Sequence, residues 1–578
     1  MSGNGSRQRA WRWSCVEGTQ RVPRVRRAGA LPQGARELAC LSLLTIALLL
    51  PFVGKPLHVD DPMYVWTAKY IVEHPLDFYG LTVNWIGKLE PMAVANKNPP
   101  GVSYWLALVG AFLGWSEPAL HAGMLVPAVL LVVGVWLLAR RLGGPPILAG
   151  LCLLAMPGFL VSSTTLMADV LATALWTWAL LAWVVGVQEE RTGWLLAGSL
   201  LAGLCILTKY VGLALIPLLL VYSWVKRQRS GVGTLLLLLP FAIALAYRAQ
   251  MISHYAVDPF SVGSFVREAR EFSKASAFEY PWIGLSFLGG ACLPSLLLAG
   301  WIFGRRTLVL AGLSILLVAA ALISLRTLGG YPLVSELGVR RGLVAHLACF
   351  IVSGGLIVLL IFRHVVRQRT AEAILLALWI CGLFVFASIL NWTTNVRALL
   401  PVAPAVAILL ATEAWQGDGS ALFGSQRGLL AMLGISTLAG LLVAQGDQAF
   451  ARSARDAALE IAREDVGIGR RPLWFQGAWG FQYYMEREGA RKIDWQRGGV
   501  LPGERIVQPD FNTNLMFLPF SARLLTEHRT AVHAVAQTLS WKAGAGFYTD
   551  LSGPAPYVFG FPADQVYSVF EAETRYPP

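Results

Sequence analysis

Repeated apolar runs of roughly 18–22 residues dominate this sequence, and one such run can cross a hydrocarbon layer about 30 Å thick as a helix. Hydrophobic residues make up 56% of the 578 residues and charged residues only 14%, whereas soluble domains are about 25% charged. Because the apolar excess falls in separate runs, it does not describe one large core. The sequence therefore excludes a soluble enzyme, a disordered chain and a disulfide-stapled secreted domain, and predicts a polytopic membrane protein.

The fold class that follows is an all-α bundle of about thirteen transmembrane helices. The predicted spans are residues 37–54, 119–139, 145–161, 166–187, 193–207, 211–225, 232–250, 283–303, 307–325, 342–362, 372–390, 398–414 and 428–445.

The charge balance, 47 Lys and Arg against 34 Asp and Glu, reports topology more simply than an acidic partner such as nucleic acid. Basic groups separate alternate pairs of spans: Arg140-Arg141, Arg191, Lys226-Arg227-Arg229, Arg305-Arg306 and Arg363/Arg367/Arg369. The positive-inside rule places these loops in the cytoplasm, together with the Arg-rich tail, residues 1–36. A mitochondrial presequence is an alternative interpretation of this tail. We predict a multi-pass protein of the plasma membrane, specifically a bacterial inner membrane, with an external C-terminus.

The apolar stretch 101–115 has about the length of a re-entrant or interfacial segment. If it crossed the membrane, every later basic loop would move outside, so we predict that it does not span. The domains are then the tail 1–36, a membrane domain 37–446 with a first external loop 55–118, and an external mixed α/β domain 447–578. Within the last domain we predict a strand at 472–476, a helix at 480–488 and a strand at 557–561.

Few motifs in the chain carry chemistry. The seven cysteines show no metal-ligand spacing, which argues against both a zinc site and a disulfide framework. We find no phosphate-cradling Gly-rich loop, nucleophile elbow or HExxH motif, so nucleotide hydrolysis by this chain is not expected.

An acidic pair directly after the first span is the densest candidate, in the run His58-Val59-Asp60-Asp61-Pro62-Met63-Tyr64. Asp61 before Pro62 fits a helix N-cap with proline at the first helical position. Capping does not explain Asp60, which a nearby cation could keep ionised and basic. A structural and a catalytic role for this pair are equally open at this point.

A second candidate is the run Asn96-Lys97-Asn98-Pro99-Pro100-Gly101-Val102-Ser103-Tyr104-Trp105. Lys97 and Tyr104 would face the head-group layer, where Trp, Tyr and Lys commonly serve as interfacial anchors. Anchoring is the favoured interpretation of this run when it is considered alone.

The remaining cations on the predicted external side are Lys209, Arg340, Arg341 and Arg397. Each could snorkel from a helix end, but together they could line a site for an anionic lipid phosphate. Asp169, near the outer end of its span, could pair with one of them or form hydrogen bonds within the bundle.

These runs resemble the GT-C superfamily of lipid-phosphate-sugar glycosyltransferases, and within it the protein O-mannosyltransferase and aminoarabinose transferase group with its family 39-like bacterial members. The resemblance rests on the acidic pair, the Lys97 run, Met167-Ala168-Asp169-Val170, Leu207-Thr208-Lys209-Tyr210 and Arg397 to Pro401, and covers roughly residues 37–415. The family's usual pair is Asp-Glu, here Asp60-Asp61, and Asn98 is inserted before the prolines. The Trp-Trp-Asp signature of oligosaccharyltransferases is absent, which disfavours that branch.

The resemblance implies an inverting glycosyltransferase that uses a polyprenyl-phosphate sugar donor at the external face of the membrane. Asp60, beside Asp61, would act as general base on a glycolipid, glycan or protein acceptor. Donor phosphate would be bound by Lys97, Lys209, Arg340, Arg341 and Arg397, with support from Asp169, Tyr64 and Tyr104. No cofactor is required, and a divalent metal is optional.

Two other classes of function remain open at the level of sequence. A polytopic lipid or sugar transporter or flippase would also have many spans with scattered charges, although transporters commonly place them near the midplane. A catalytically inactive scaffold is the other alternative. In the C-terminal domain, the aromatic residues Trp474, Trp479, Tyr483 and Tyr484 could select an acceptor, but packing in the domain core is the favoured interpretation.

Overall fold

The computed structural model describes residues 33–226, 231–261, 275–416, 426–467 and 472–576. Three predicted features lie wholly or partly outside these ranges. They are most of the basic tail, Arg227 with Arg229, and residues 262–274 of an external loop.

The protein is mainly helical. Its helices are α1 (Gln33–Leu49), α2 (Asp61–Glu73), α3 (Met92–Ala95), α4 (Gly101–Leu113), α5 (Glu117–Arg141), α6 (Pro146–Leu154), α7 (Pro157–Ser162), α8 (Ala168–Gln188), α9 (Thr192–Ile206), α10 (Leu215–Val225), α11 (Gly231–Leu236), α12 (Leu238–Tyr255), α13 (Tyr280–Ala291), α14 (Pro294–Leu297), α15 (Ala299–Phe303), α16 (Arg305–Leu325), α17 (Arg341–Gln368), α18 (Ala371–Val385), α19 (Val396–Leu399), α20 (Ala403–Gln416), α21 (Gln426–Gly467) and α22 (Trp479–Arg487).

Nine helices within the described ranges are long and apolar enough to cross a membrane, so the chain is built as a multi-pass membrane protein. The four other predicted spans are short or interrupted helices, and the predicted count of thirteen is not confirmed. Pro157 separates α6 from α7, and Pro294 begins α14 after a break that follows α13. Proline lacks the N–H that would continue the helix. Helix α9, with 15 residues, extends only about 22 Å at 1.5 Å per residue.

The predicted non-spanning segment 101–115 forms α4, a helix of 13 residues. At 1.5 Å per residue it is about 20 Å long, less than a hydrocarbon layer of about 30 Å. It packs beside α2, the helix that follows the acidic pair.

Helix α8 lies at the centre of the bundle, packed against α5 and α9. Glycines make this close approach possible: a Cβ on Gly198 would lie 3.1 Å from the Ala179 carbonyl oxygen, and one on Gly134 would lie 3.1 Å from Thr177. Small residues let membrane helices approach in this way. The first turn of α8 therefore carries Asp169 on a rigid, buried element.

The C-terminal domain contains a five-stranded mixed sheet, so its predicted mixed α/β character is confirmed. Strands β7 (Leu473–Phe475), β8 (Arg491–Lys492), β9 (Arg505–Pro509), β10 (Ala522–Thr530) and β15 (Gln565–Ala572) are arranged in the order β10-β15-β9-β7-β8. Strand β7 is parallel to β8 and β9, whereas β15 is antiparallel to β9 and β10. Helix α22 connects β7 to β8 and lies within one residue of its predicted position.

Short two-stranded sheets complete the fold. They comprise β1 (Thr82–Asn84) with β2 (Leu89–Pro91), β3 (Thr327–Leu328) with β4 (Tyr331–Pro332), β5 (Val334–Ser335) with β6 (Gly338–Val339), β11 (Ala536–Gln537) with β14 (Val558–Phe559), and β12 (Leu539–Ser540) with β13 (Ala545–Gly546). The first hairpin and the C-terminal domain contact each other, because the Asn84 side chain donates to the Ile493 carbonyl and Gln482 donates to the Asn84 carbonyl.

Helix α21 joins the membrane bundle to the C-terminal domain without interruption. It is 42 residues long, and the predicted domain boundary between residues 446 and 447 falls inside it. An apolar first half and a polar second half therefore form one rigid element, which fixes the C-terminal domain on one end of the bundle.

The opposite end of the bundle gathers the basic loops. There Arg141 pairs with Glu189 at 2.7 Å, Lys226 pairs with Glu372 at 2.7 Å, and Arg363 pairs with the buried Glu413 at 3.2 Å. The connections that alternate with these loops meet at the other end, beside the C-terminal domain.

Candidate active site

Four charged side chains from distant parts of the chain meet beside the C-terminal domain. The Arg397 guanidinium lies 2.8 Å from an Asp60 oxygen and 2.9 Å from an Asp169 oxygen. Lys209 pairs with the other Asp169 oxygen at 2.5 Å and donates to the Arg397 carbonyl at 3.3 Å. We call these four residues the charge network. Two carboxylates and two cations leave it without formal net charge.

Local structure orients each member of the network. Asp169 lies in the first turn of α8, and Lys209 lies three residues after the end of α9, where it caps a short 3-10 turn. Arg397 lies in the short helix α19, whose N-cap, Asn395, accepts a hydrogen bond from the Ala398 N–H at 2.7 Å. The backbone before α19 is held by the C-terminal domain, because the Val396 N–H donates to the Phe547 carbonyl at 3.0 Å.

Exposure distinguishes Asp60 from the other members. Its side chain is 33% exposed, compared with 1% for Asp169 and 13% for Arg397. A buried carboxylate is stable only when it is paired, which explains why Asp169 has two cationic partners. Asp60 has one cationic partner in the network and a face open to an incoming molecule. It is therefore the carboxylate of the network that is able to accept a proton from a substrate.

Asp61 has a different environment from Asp60, although the two are adjacent. It is fully buried, and its oxygens accept hydrogen bonds from the His58 and Leu166 N–H groups, both at 2.9 Å. Burial raises the pKa of Asp61 to about 7, against the lowering effect of the Lys55 charge. The prediction that Asp61 is the N-cap is wrong by one residue: α2 begins at Asp61, and its N-cap is Asp60, whose side chain makes no capping hydrogen bond. Asp61 thus ties the start of α2 to the 163–167 turn, and its buried side chain is closed to solvent.

The backbone immediately before Asp60 is strained. Val59 has a φ angle of +46°, in the left-handed region that β-branched residues rarely adopt. Strain of this kind persists only where the surrounding structure enforces it, and it is concentrated at functional sites. Here the enforcing contacts are the two Asp61 hydrogen bonds and the burial of Val59 itself.

A second buried cluster adjoins the network, and sequence reasoning missed it. Asp447 of α21 accepts hydrogen bonds from Lys55, from Thr538 at 2.5 Å and from Tyr548 at 2.7 Å. His58, two residues before Asp60, lies 3.5 Å from Asp447. We call these residues the Asp447 cluster. The sequence signal for it was the charge in Gly446-Asp447, at the end of an apolar run.

Of the three residues predicted to support the site, Asp169 belongs to the network, and Tyr64 lies within reach of its charges. It is buried, its hydroxyl accepts a hydrogen bond from Asn98 at 3.0 Å, and the charges of Arg397 and Asp60 act on it. Burial raises the pKa of Tyr64. Lys97 is exposed and adjacent to Asn98. Tyr104 donates to the Pro75 carbonyl at 2.5 Å, so its hydroxyl braces the first loop.

Arg340 and Arg341 are not brought into the charge network. Arg340 donates to the Tyr331 hydroxyl at 2.6 Å and to the Lys542 carbonyl at 2.9 Å, which ties the 327–340 hairpins to the C-terminal domain. Arg341 is exposed at the first residue of α17. Arg340 therefore has a structural role that competes with the predicted binding of donor phosphate.

The four aromatic residues near the start of the C-terminal domain are used in packing. Trp474 donates to Glu504 at 2.7 Å, and the buried Tyr484 donates to Glu117 at 2.5 Å. Trp479 packs edge-on against Phe511, and Tyr483 lies against the Lys69 ammonium. The favoured interpretation of these residues, packing in the domain core, thus agrees with their contacts.

Among the described residues, the side chains spaced to share a metal ion are Glu460, Glu464 and His528. They lie between α21 and β10, away from Asp60, and both glutamates are exposed. At the charge network, the cationic groups of Arg397 and Lys209 already occupy the positions beside the carboxylates.

Residues 97–253 match the model of a protein family described as dolichyl-phosphate-mannose-protein mannosyltransferase. The matched segment contains Lys97, Asp169 and Lys209. The resemblance to GT-C glycosyltransferases that the sequence motifs predicted is confirmed by this match. No curated protein sequence shows significant similarity to this chain.

Solved structures similar to this chain include three glycosyltransferases. ArnT from Cupriavidus metallidurans, in complex with undecaprenyl phosphate, is 17% identical with a TM-score of 0.39, and the match covers 82% of this chain and 93% of ArnT. The oligosaccharyltransferase of Archaeoglobus fulgidus is 13% identical with a TM-score of 0.47, covering 80% of this chain and 63% of the enzyme. Arabinofuranosyltransferase AftD from Mycobacteria is 13% identical with a TM-score of 0.39, covering 95% and 40% of the respective chains.

Proposed function

We propose that this chain, which resembles the GT-C glycosyltransferases, transfers a sugar from a polyprenyl-phosphate donor to an acceptor at the external face of the membrane. The observation that carries the proposal is the charge network, in which one accessible carboxylate, Asp60, shares the guanidinium of Arg397 with a buried one, Asp169. The family match supports a transferase over a transporter or an inactive scaffold.

In the proposed reaction Asp60 is the general base. It takes the proton of an acceptor hydroxyl or phosphate while the acceptor oxygen attacks the anomeric carbon from the side opposite the donor phosphate. The bond between that carbon and the phosphate oxygen breaks, and the lipid phosphate leaves with the electron pair. The configuration at the anomeric carbon inverts. General base catalysis of this kind contributes about 10²–10⁴-fold to the rate.

Arg397 and Lys209 supply the positive charge that the leaving phosphate needs. Preorganised cations stabilise charge that develops in the transition state, and most effectively where water is excluded. Both side chains are largely buried, at 13% and 17% exposure. Lys97 is exposed in the first loop, and we propose that it makes the first contact with the donor phosphate. With these cations in place, the mechanism requires no metal ion.

Orientation follows from the distribution of charge. The basic end of the bundle faces the cytoplasm by the positive-inside rule, so the charge network and the C-terminal domain face outward. A polyprenyl-phosphate donor would lie with its chain along the bundle and its phosphate at the network. We propose a bacterial inner membrane as the setting.

The variant Asp60→Asn tests the assignment of the base. It should lower transfer from a lipid extract containing polyprenyl-phosphate sugars by about 10²–10⁴-fold, because the amide cannot accept the proton. Thermal stability and membrane insertion should match the wild type. Asp456→Asn, a surface aspartate that is 55% exposed, is the matched control and should keep full activity. Wild-type transfer by Asp60→Asn would refute the assignment.

The variant Lys97→Ala tests the donor-phosphate contact. We expect the KM for the donor to rise several-fold while expression is unchanged, because a phosphate contact made before reaction contributes to binding. Lys88→Ala is the matched control, since Lys88 is also exposed in the first loop and pairs with Glu90 at 3.8 Å. Unchanged donor kinetics in Lys97→Ala would remove Lys97 from the site.

A further inference from the structure

The C-terminal domain contains a cleft of about 250 Å³ that the proposed reaction does not use. Four aromatic rings line it: Phe450 from α21, Phe511 after β9, Trp541 after β12 and Phe561 after β14. Trp541 is 53% exposed and Phe561 is 85% exposed. Large aromatic side chains left open at a concave surface commonly mark a binding site.

Polar side chains line the cleft together with these rings. The amides of Gln537 and Gln565 and the carboxylates of Asp510 and Asp564 line the same cleft. Asp510 holds one wall in place by accepting hydrogen bonds from Lys542 and from the Val566 N–H. Aromatic faces stack on the C–H face of a sugar ring, while carboxylates and amides bind its hydroxyl groups as acceptors and donors. The lining therefore matches the two kinds of surface that a saccharide presents.

The charge of the lining residues further limits the class of ligand that the cleft can bind. The charged residues that line the cleft are Asp510, Asp564 and Lys542, which leave a net charge of one negative unit. A phosphate or another anionic group would be repelled, so the cleft is unsuited to the donor phosphate. Neutral and amino sugars carry no such penalty.

The cleft adjoins the segment that carries Asp60. Two lining residues connect the cleft to the Asp447 cluster: Thr538, a member of the cluster, donates to Asp447 at 2.5 Å, and Gly446 precedes Asp447 in the chain. The Phe450 ring lies 5.4 Å from the ring of His58, two residues before Asp60. The cleft and the segment that carries Asp60 are therefore in contact through Phe450 and the buried His58, so a saccharide in the cleft would be held beside this segment.

We propose that this cleft binds the saccharide portion of the acceptor, so that the acceptor is a neutral or amino-sugar glycan or glycolipid. This inference rests on the proposed function in calling the bound molecule an acceptor, but saccharide binding by the cleft can be measured without donor. It assigns the C-terminal domain a binding role that is separate from the charge network.

Binding is measured on the full-length protein in lipid nanodiscs by saturation-transfer NMR. The probes are the trisaccharides chitotriose, mannotriose, maltotriose and arabinotriose. We expect at least one to bind, with affinity reduced at least tenfold in Trp541→Ala and in Phe561→Ala. Phe517→Ala is the matched control, since Phe517 is 97% exposed in the same domain but does not line the cleft. It should bind like the wild type.

Three outcomes would overturn the inference: no probe binds, Trp541→Ala and Phe561→Ala both bind like the wild type, or a Ser/Thr-rich peptide occupies the cleft while every saccharide fails. Hydrogen exchange of residues 536–543 and 558–565 reports occupancy independently of the variants. If the wild-type protein binds a saccharide in the cleft but transfers no sugar from any polyprenyl-phosphate donor, the cleft is supported and the proposed function is refuted, so the two failures are distinguishable.

Discussion

Arg397 connects the two carboxylates of the charge network, and its shape is as important as its charge. Its Nε contacts Asp169 and one terminal nitrogen contacts Asp60. A planar guanidinium can make both contacts at once, whereas the single nitrogen of lysine cannot hold the same geometry. Arg397→Lys should therefore lower transfer by about 10²–10³-fold although the positive charge is retained. The measurement is the rate of transfer at saturating donor.

Arg248 provides a control outside the network, because its guanidinium is also paired through two nitrogens, in this case with a single carboxylate. Its Nε and a terminal nitrogen bind both oxygens of Asp258, at 2.9 Å and 2.6 Å. Arg248→Lys should leave transfer within about twofold of the wild type, because a partly exposed ion pair contributes little. Equal losses in both variants would indicate a general effect of losing a paired guanidinium and would contradict a special role for Arg397.

At the scale of elements, the contact between α4 and the turn after α9 sets the position of Lys209. The Gly101 N–H donates to the Leu207 carbonyl at 2.9 Å. A Cβ on Gly101 would lie 2.5 Å from the Thr208 hydroxyl and 2.7 Å from the Leu207 carbonyl, closer than van der Waals contact allows. The start of α4 and the turn that carries Lys209 therefore fit together only with glycine at this position.

Gly101→Ala should push this turn away from α4 and displace Lys209 from Asp169. We expect transfer to fall by about 10-fold or more, since small displacements of catalytic groups are costly. Helical content should remain, because alanine is a good helix former. Gly382→Ala in α18 is the control, as no atom lies within 4 Å of a Cβ there. Normal transfer by Gly101→Ala would contradict this role of the contact.

Elements with a strong local signal could be predicted from the sequence. The apolar runs predicted the nine long helices of the described residues, and the segment 480–488 was correctly predicted to form α22, because period and composition act locally. The interruptions at Pro157 and Pro294 depend on how neighbouring helices accept a break, so runs of similar composition yielded different elements. Predicted spans 145–161 and 283–303 therefore became short helices.

The site residues, like the helices, could be predicted where the sequence signal is local and not where it depends on distant contacts. Asp60, Asp169, Lys209 and Arg397 were predicted as candidates from sidedness and motif, and pairing of Asp169 with one of the cations was one of the two predicted roles for it. Which cation pairs with Asp60 could not be predicted, because Arg397 is 337 positions away in the sequence. Asp447 could not be assigned, since its partners come from the first loop and the C-terminal domain. A lone charge at a helix end has no sequence pattern that identifies such partners.

At the scale of the whole molecule, the first loop and the C-terminal domain enclose the charge network together. Gly480 lies so close to the first loop that a Cβ would meet the Leu57 carbonyl at 1.9 Å, and Asp447 receives hydrogen bonds from both parts. The C-terminal domain also holds the backbone before Arg397 through Phe547. The geometry of the network therefore depends on docking of this domain as well as on the membrane helices.

Docking of the two parts should depend on pH through Lys492. Its ammonium is buried at the interface and donates to the Trp85 carbonyl at 2.7 Å and to Gln482 at 2.9 Å. Burial lowers the pKa of Lys492 to about 7, against the raising effect of Glu486. The unfolded chain, with an ordinary lysine pKa near 10.4, binds one more proton than the folded protein between about pH 7 and 10. Stability should therefore rise with pH across this window.

Pulse proteolysis in urea, on the full chain in detergent at pH 7, 8 and 9, measures this slope as a free energy of unfolding. One proton contributes at most about 1.4 kcal/mol per pH unit. A neutral amine retains two N–H groups, so both hydrogen bonds survive deprotonation and only the desolvation cost is relieved. Lys492→Met should remove the part of the pH slope that Lys492 contributes. Lys542→Met, at an exposed position of the same domain, should retain it. The same slope in Lys492→Met as in the wild type would mean that Lys492 is not the group that titrates.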